Sequence, residues 1–191
     1  GQVKYFKSFG FDDQSLDKMY TNDAIFRIAS MTKSITVVGI MQLMEKGKLK
    51  LDDPVSKYIP AFKKTKVLHS FNASDSSYTV VDQIKEISIR NLLTHTSGIY
   101  YGSFEKDSLR AVYMKNGIMG FGLSNNEWST EEMVNMIAEA PLAFQPGSAW
   151  KYGMNMEVLG RIIEVASNTN LDVYFQKNIF DVLGMRDTYF Y

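Results

Sequence analysis

Cysteine is absent from the 191-residue sequence, and histidine occurs only as His69 and His95. The absence of cysteine excludes disulfides, thiol catalysis and thiolate metal sites. A Ser–His–acid triad is possible only through one of the two histidines, and a histidine-ligated metal centre has little support. Because His69 lies in a polar stretch and His95 in a predicted turn, we expect a surface role for the first and a structural role for the second.

An excess of charge of one sign and a long apolar run are also absent. Lysine plus arginine and aspartate plus glutamate each number 21, so neither nucleic acid nor an anionic membrane is indicated as a partner. No apolar run approaches the roughly 20 residues of a membrane span. The 45% hydrophobic and 13% aromatic content predicts a globular domain with a sizeable core. The composition leaves the cellular compartment open.

Several catalytic signatures are missing as well: the Gly-x-Ser-x-Gly elbow, the phosphate-binding loop, the dinucleotide fingerprint and His-Glu-x-x-His. A Ser-x-x-Lys spacing is present four times, beginning at Ser15, Ser30, Ser103 and Ser148. Only Ser30 precedes a long apolar stretch. The context therefore selects Ser30 and Lys33 as the candidate pair.

Ser30 and Lys33 stand before the mostly apolar run 35–44. In a helix they are i,i+3 neighbours, and the apolar residues predict a helix to about Lys46 that is buried all round. Burial disfavours the ammonium form of a lysine, and a neutral amine can take the proton of a serine hydroxyl. Backbone N–H groups at a helix start could stabilise an oxyanion. In the alternative interpretation, Ser30 is a helix cap and Lys33 a surface residue.

The remaining pattern predicts a mainly helical chain with little sheet. Residues 1–11 alternate weakly and predict a strand, residues 62–85 predict a surface loop or hairpin, and residues 100–129 a long loop with helical fragments. Residues 187–191 could begin another strand. Helices are predicted at 88–93, 130–139, 155–167 and 171–182, within a mainly helical region 24–182.

Taken together, several segments resemble the serine β-lactamases and penicillin-binding proteins, and more narrowly the class C branch and the related family VIII carboxylesterases. They occur in the family's order and span nearly the whole chain: Phe26–Lys33, Leu51–Pro54, Leu92–Gly98, Pro146-Gly147 with Tyr152, Leu159-Gly160, Ile163-Glu164 and Leu183–Thr188. The resemblance implies an α+β, β-lactamase-like fold that is incomplete: one partial domain over 1–191, mostly the helical subdomain, with the first strand and the beginning of later ones.

The resemblance also implies roles for three residues. Ser30 would be the acylated nucleophile, Lys33 the group that activates it, and Tyr152 a proton relay across the cleft. Without the resemblance, Tyr152, between Trp150 and Met154, would be interpreted as a core residue. No metal or organic cofactor is implied.

Two departures from the family pattern bear on the substrate. Class C β-lactamases carry Tyr-x-Asn, whereas this sequence has Tyr152, Gly153 and Met154, with Asn155 one residue too late. Such a shift at a helix start turns a side chain by about 100°. With Gly153 and Met154 at the substrate-binding positions, weak β-lactam recognition is expected, as in the esterase branch. The family's third motif does not occur before Tyr191, so the resemblance implies a missing C-terminal segment or a second chain that completes the fold.

These observations predict a serine hydrolase that acts on small esters through an acyl-enzyme. The alternatives are a class C-type β-lactamase, a D-alanyl-D-alanine carboxypeptidase, and a non-catalytic binding module with the same fold. The expected partner is a small ester or lactam substrate.

Overall fold

The computed structural model of the protein describes residues 2–101, 108–118 and 128–190. Contacts within the chain define two compact units, Gly1–Thr32 and Lys33–Tyr191. The single partial domain over 1–191 stays a prediction.

The first unit contains one small hairpin. Strand β1 (Phe11–Asp13) pairs antiparallel with β2 (Lys18–Met19). The prediction of a strand over 1–11 is wrong, because residues 2–9 have no regular structure and the strand begins at Phe11. Weak alternation cannot make a strand where no neighbour pairs with the backbone, and side chains such as Phe6 and Phe9 stay mostly exposed. The unit ends with a 3-10 turn, Ala29–Met31.

The second unit is mainly helical. Its helices are α1 (Thr32–Glu45, whose first residue belongs to the first unit), α2 (Ile89–Leu93), α3 (Ser108–Lys115), α4 (Thr130–Glu139), α5 (Asn155–Ser167), α6 (Leu171–Phe175) and α7 (Asp181–Leu183). A π-helical turn, Gln176–Phe180, joins α6 to α7 within the predicted helix 171–182. Short 3-10 turns occupy Val55–Lys57 and Pro60–Lys64.

Helix α5 is the most buried helix and organises the core. It packs against α2, α4 and α6. Its side chains Val158, Leu159, Ile162 and Ile163 are buried in the hydrophobic core. The predicted bounds of α4 and α5 are confirmed. For α4 the cause is local: the Ser129 side chain accepts a hydrogen bond from the backbone N–H of Glu132, whose carboxylate bonds back to Ser129, a capping box.

Helix α1 differs from its prediction in two ways. It begins at Thr32 rather than at Ser30, and it is buried along one face only. Thr36, Gly39, Ile40 and Leu43 are buried, whereas Val38 is 45% exposed. A helix packed against neighbours on one side buries a single stripe, even where the sequence is apolar all round.

A second hairpin covers residues 66–82, one of the two alternatives predicted for 62–85. Strands β3 (Lys66–Asn72) and β4 (Ser77–Asp82) pair antiparallel, and hydrogen bonds between Leu142 and the backbone of Lys66 and Leu68 join the hairpin to the core. The predicted start of a strand over 187–191 is wrong for Asp187–Phe190, which form no strand, and Tyr191 lies outside the described residues. No helix among the described residues has the length and apolarity needed to cross a bilayer.

Candidate active site

Lys33 and Tyr152, far apart in the sequence, meet in the second unit. Lys33 is a partly buried residue in the first turn of α1, and Tyr152 is a partly buried residue in the loop that precedes α5. The Lys33 Nζ atom lies 5.1 Å from the centroid of the Tyr152 ring. At this distance the ring face attracts an ammonium group. The structure thus brings together two of the three residues for which the sequence predicts a catalytic role.

The loop that carries Tyr152 is fixed by a close backbone approach. A Cβ atom on Gly153 would lie 2.0 Å from the carbonyl oxygen of Ile99, so only glycine allows this packing. The Lys151 backbone N–H also donates to the carbonyl of His95 at 3.0 Å. These contacts hold Tyr152 against the segment 95–100.

The side chain of Asn155 is part of a buried hydrogen-bond network. Its Oδ1 accepts a hydrogen bond from Ser97 Oγ at 2.5 Å, and its Nδ2 donates to Nδ1 of His95 at 2.8 Å. Ser97 Oγ in turn accepts the backbone N–H of Ile99. The side chain of Asn155 is fully buried, so this amide ties the turn at 95–98 to the start of α5.

Gly153 and Met154, for which the sequence predicts a substrate-binding role, are both buried. Met154 is 1% exposed and belongs to the hydrophobic core, and Gly153 is buried against the backbone of Ile99. The Met154 side chain points into the protein, and the substrate-binding role of Gly153 and Met154 stays a prediction.

His95 packs beside Tyr152 with a ring-centroid distance of 5.1 Å. Burial, followed by the positive charge of Lys33, lowers the pKa of His95 below its usual value. The imidazole is therefore neutral near pH 7, and because Nδ1 accepts from Asn155, the proton resides on Nε2. Its hydrogen bond and ring contact agree with the structural role expected from the sequence.

Two further residues adjoin this group, and sequence reasoning missed both. The ring of Tyr101 stacks on that of Tyr152 at 6.0 Å and 19°. Burial raises the pKa of Tyr101, and the nearby Glu157 and Tyr152 add to the effect. Burial also raises the pKa of Glu157, against the lowering effects of a backbone hydrogen bond and of Lys33. The sequence did carry a signal for Glu157, which is a single acidic residue between the apolar residues Met156 and Val158.

Ser30 belongs to the first unit, where it is an exposed residue of the turn Ala29–Met31. Ala29, directly before it, has φ +43°, a left-handed conformation that is unfavourable for alanine. Backbone strain of this kind clusters at functional sites. The cooperation of Ser30 with Lys33 stays a prediction from their spacing in the sequence. No cluster of potential metal-ligating side chains occurs in the described parts of the chain.

Comparison with known proteins identifies the family. Residues 1–191 match the Beta-lactamase family model. Esterase EstB of Burkholderia gladioli is 33% identical over 187 residues, which cover 98% of this chain and 44% of EstB. Lovastatin esterase of Penicillium rubens is 33% identical over 171 residues, 88% of this chain and 40% of that protein.

A solved structure gives the same result for the fold. EstCE1, described as a hydrolase with promiscuous acyltransferase activity, superposes with a TM-score of 0.75 at 28% identity, covering 92% of this chain and 42% of EstCE1. The chain thus spans less than half the length of these relatives. The predicted α+β, β-lactamase-like fold is confirmed as the corresponding part of that fold. The chain belongs to the β-lactamase family.

Proposed function

We propose that the natural polypeptide containing this chain hydrolyses small carboxylic esters through an acyl-serine intermediate. The observation that carries the proposal is the contact between Lys33 and Tyr152, 5.1 Å from Nζ to ring centroid, in a chain of the β-lactamase family. The names of EstB and lovastatin esterase describe esterases, which supports the same reaction class.

In the proposed reaction Ser30 Oγ attacks the ester carbonyl carbon while Lys33 accepts the hydroxyl proton. The backbone N–H of Ser30 stabilises the oxyanion of the tetrahedral intermediate. Tyr152 relays the proton taken up by Lys33 to the oxygen of the departing alcohol as the carbon–oxygen bond breaks, which leaves an acyl-serine and a neutral Lys33. Water then attacks the acyl carbonyl, the acid leaves, and Ser30 regains its proton.

The neighbours of Tyr152 hold its side chain in one orientation, which suits a residue that relays a proton. His95 contacts its ring at 5.1 Å and Tyr101 stacks on it at 6.0 Å. The Lys33 Nζ atom lies 5.1 Å from the centroid of the same ring. A group held by neighbours in this way loses little entropy in the transition state, because its position is already set before the reaction.

Esters are preferred over β-lactams in this proposal because of Asn155. Its amide is engaged with Ser97 and His95 and is not free to pair with the amide of a penicillin or cephalosporin. A substrate amide left unpaired costs about 1–3 kcal/mol, roughly tenfold to a hundredfold in rate. We therefore expect higher kcat/KM for short p-nitrophenyl esters than for penicillins.

Labelling with a fluorophosphonate tests the proposed function. The natural polypeptide should carry the label on Ser30, and Ser30→Ala should abolish both labelling and ester hydrolysis. Ser148→Ala is the matched control, because Ser148 has the same Ser-x-x-Lys spacing but its hydroxyl donates to the Gln145 carbonyl in an exposed turn.

The outcomes separate the alternatives. Label on Ser148, or none on Ser30, would contradict the assignment, and absence of any turnover would favour a binding module. Comparable kcat/KM on esters and penicillins would favour a class C-type β-lactamase, and release of D-alanine from a D-alanyl-D-alanine peptide a carboxypeptidase.

The length comparison supports a further proposal about the cleft. Because relatives such as EstB are more than twice as long, we propose that additional polypeptide, continuous with this chain or separate, supplies the wall opposite Tyr152. The 191 residues alone should then hydrolyse p-nitrophenyl acetate far more slowly than the natural polypeptide. Equal rates would contradict this.

A further inference from the structure

His95 contacts three consecutive residues of the loop that carries Tyr152. The centroid of its ring lies 6.2 Å from that of Trp150, with the rings inclined at 66°, and 5.1 Å from that of Tyr152, with the rings inclined at 30°. Both separations fall within the range of about 4.5–7 Å in which aromatic rings attract each other. Between these two residues, the backbone N–H of Lys151 donates to the His95 carbonyl at 3.0 Å. One residue thus holds the loop through both its ring and its backbone.

The His95 ring is itself held in one orientation by a chain of hydrogen bonds. The backbone N–H of Ile99 donates to Ser97 Oγ, and the Ser97 hydroxyl donates to Asn155 Oδ1. Because its oxygen is engaged there, the Asn155 amide presents Nδ2 to the His95 ring and donates to Nδ1 at 2.8 Å. Ser97 and Asn155 are both 0% exposed, so water does not compete for their polar groups. The ring therefore cannot rotate without losing its bond to Asn155.

The need for a turn does not by itself explain a histidine at this position. His95 has φ +54°, a left-handed conformation that glycine adopts without strain, as Gly98 does at φ +89°. The backbone of His95 accepts from Lys151 and donates to the Leu92 carbonyl, and neither bond involves the side chain. Glycine would form the same turn. The contacts that require the imidazole are those with Asn155 and with the two aromatic rings of the loop.

We propose that His95 is a positioning residue that acts through Tyr152. The imidazole, oriented by Asn155, holds the Tyr152 ring and therefore keeps its hydroxyl in the place from which it relays a proton. The packing of Gly153 on Ile99 fixes the backbone of the loop, whereas the ring contact of His95 fixes the direction of the Tyr152 side chain. A relay that is oriented before the reaction needs no reordering in the transition state. This inference rests on the proposed function and extends it by a fourth residue.

A double-mutant cycle with Tyr152→Phe tests the inference on the natural polypeptide, with p-nitrophenyl acetate as the substrate. His95→Asn removes the ring but keeps a residue type that tolerates the left-handed backbone. In the wild-type background this substitution should lower kcat on the order of 10-fold, with KM changed less than about twofold, because a displaced relay affects the transition state and not substrate binding. In the Tyr152→Phe background, which lacks the relay hydroxyl, it should lower kcat less than about twofold, because the effects of residues that act through one another are not additive.

Asn91→Ala is the matched control for loss of stability. Asn91 lies in the same segment, but its side chain accepts from the Ser88 backbone N–H and donates to the Thr96 hydroxyl. The variant should lower Tm, because it loses these hydrogen bonds, and should keep a kcat close to that of the wild type. A loss of kcat equal to that of His95→Asn would reveal a general effect of destabilising the segment and would overturn the inference.

The other outcomes are equally decisive. Equal losses of kcat in the two backgrounds, or a wild-type kcat for folded His95→Asn, would overturn the inference. If Tyr152→Phe has no measurable turnover, the single variant decides: a kcat about 10-fold lower at unchanged KM supports the inference, and an unchanged kcat overturns it. If His95→Asn does not fold, Asn155→Ala, which releases the His95 ring, takes its place in the cycle with the same criteria.

Failure of the proposed function is recognised separately. In that case the wild type takes no fluorophosphonate on Ser30, or Tyr152→Phe keeps the wild-type kcat. Labelling of Ser30 together with a loss of kcat in Tyr152→Phe supports the proposed function. Additive effects of His95→Asn in that setting would overturn the inference alone.

Discussion

Replacing Gly153 with alanine tests how strictly the position of Tyr152 is determined by the loop that carries it. The added Cβ would lie 2.0 Å from the carbonyl oxygen of Ile99 and 2.7 Å from its carbon, whereas ordinary contact begins at 3.4 Å. Some backbone must therefore move by about 1.4 Å, the difference between the contact distance and the shorter of the two.

The movement is expected in the loop and not in its neighbour. The Ile99 backbone N–H donates to Ser97 Oγ, and that of Tyr100 donates to the Tyr113 hydroxyl, so this segment is held from both sides. Tyr152, adjacent to residue 153, would then be displaced. A displacement of about 1 Å in a reacting group can lower a rate about 100-fold, and overpacking costs about 1–3 kcal/mol of folding free energy.

The assay is kcat for p-nitrophenyl acetate, with thermal unfolding measured in parallel. Gly160→Ala is the control, since its Cβ would meet only the end of the flexible Leu171 side chain, at 3.0 Å. We expect near wild-type kcat for Gly160→Ala and about 100-fold lower kcat for folded Gly153→Ala. A folded Gly153→Ala variant with wild-type kcat would refute both the fixed position of Tyr152 and its importance for catalysis.

Three other predictions follow from the same region. Asn155→Ala removes the hydrogen-bond partner of buried Ser97 and of His95, so urea titration should show a loss of about 1–3 kcal/mol; an unchanged midpoint would contradict the network. Met154→Asn buries an unpaired amide at a position that is 1% exposed, so it should lower the free energy of unfolding by about 1–3 kcal/mol without improving penicillin hydrolysis; a gain of β-lactamase activity would show that residue 154 reaches the cleft after all. The pKa of His95 is lower in the folded protein than in the unfolded chain, so the unfolded state binds more protons as the pH falls through the usual histidine range. The contribution of neutral His95 to folding stability is therefore full above that range and is lost as the pH falls. The variant His95→Asn, in which asparagine tolerates the φ of +54°, should show a weaker dependence of the free energy of unfolding on pH between pH 7.5 and pH 5.5 in urea titrations. A pH dependence equal to that of the wild type would contradict this prediction.

The sequence by itself determined those helix boundaries that depend on interactions between residues close together in the chain. The start of α4 follows from Ser129 and Glu132, whose side chains accept hydrogen bonds from each other's backbone N–H groups. The break before α6 follows from Asn168, one of the residue types that adopt a left-handed conformation most readily. Local context also selected Ser30 and Lys33, which stand before a long apolar stretch. The choice of Tyr152 came from the resemblance to the family, since local patterning alone made Tyr152 a core residue.

Only the tertiary structure decided features that depend on contacts between distant segments. Residues 2–9 form no strand because no segment of the described chain pairs with their backbone. Helix α1 buries one stripe, around Gly39, where Ile163 and Phe175 lie against it. Met154 and Asn155 both point inward because Gly153 packs on Ile99, an approach that the sequence of the loop does not reveal. The contact between Lys33 and Tyr152 likewise exists only because folding brings α1 to the loop before α5. Periodicity and capping act within a few residues, whereas burial and charge pairing depend on which segments meet.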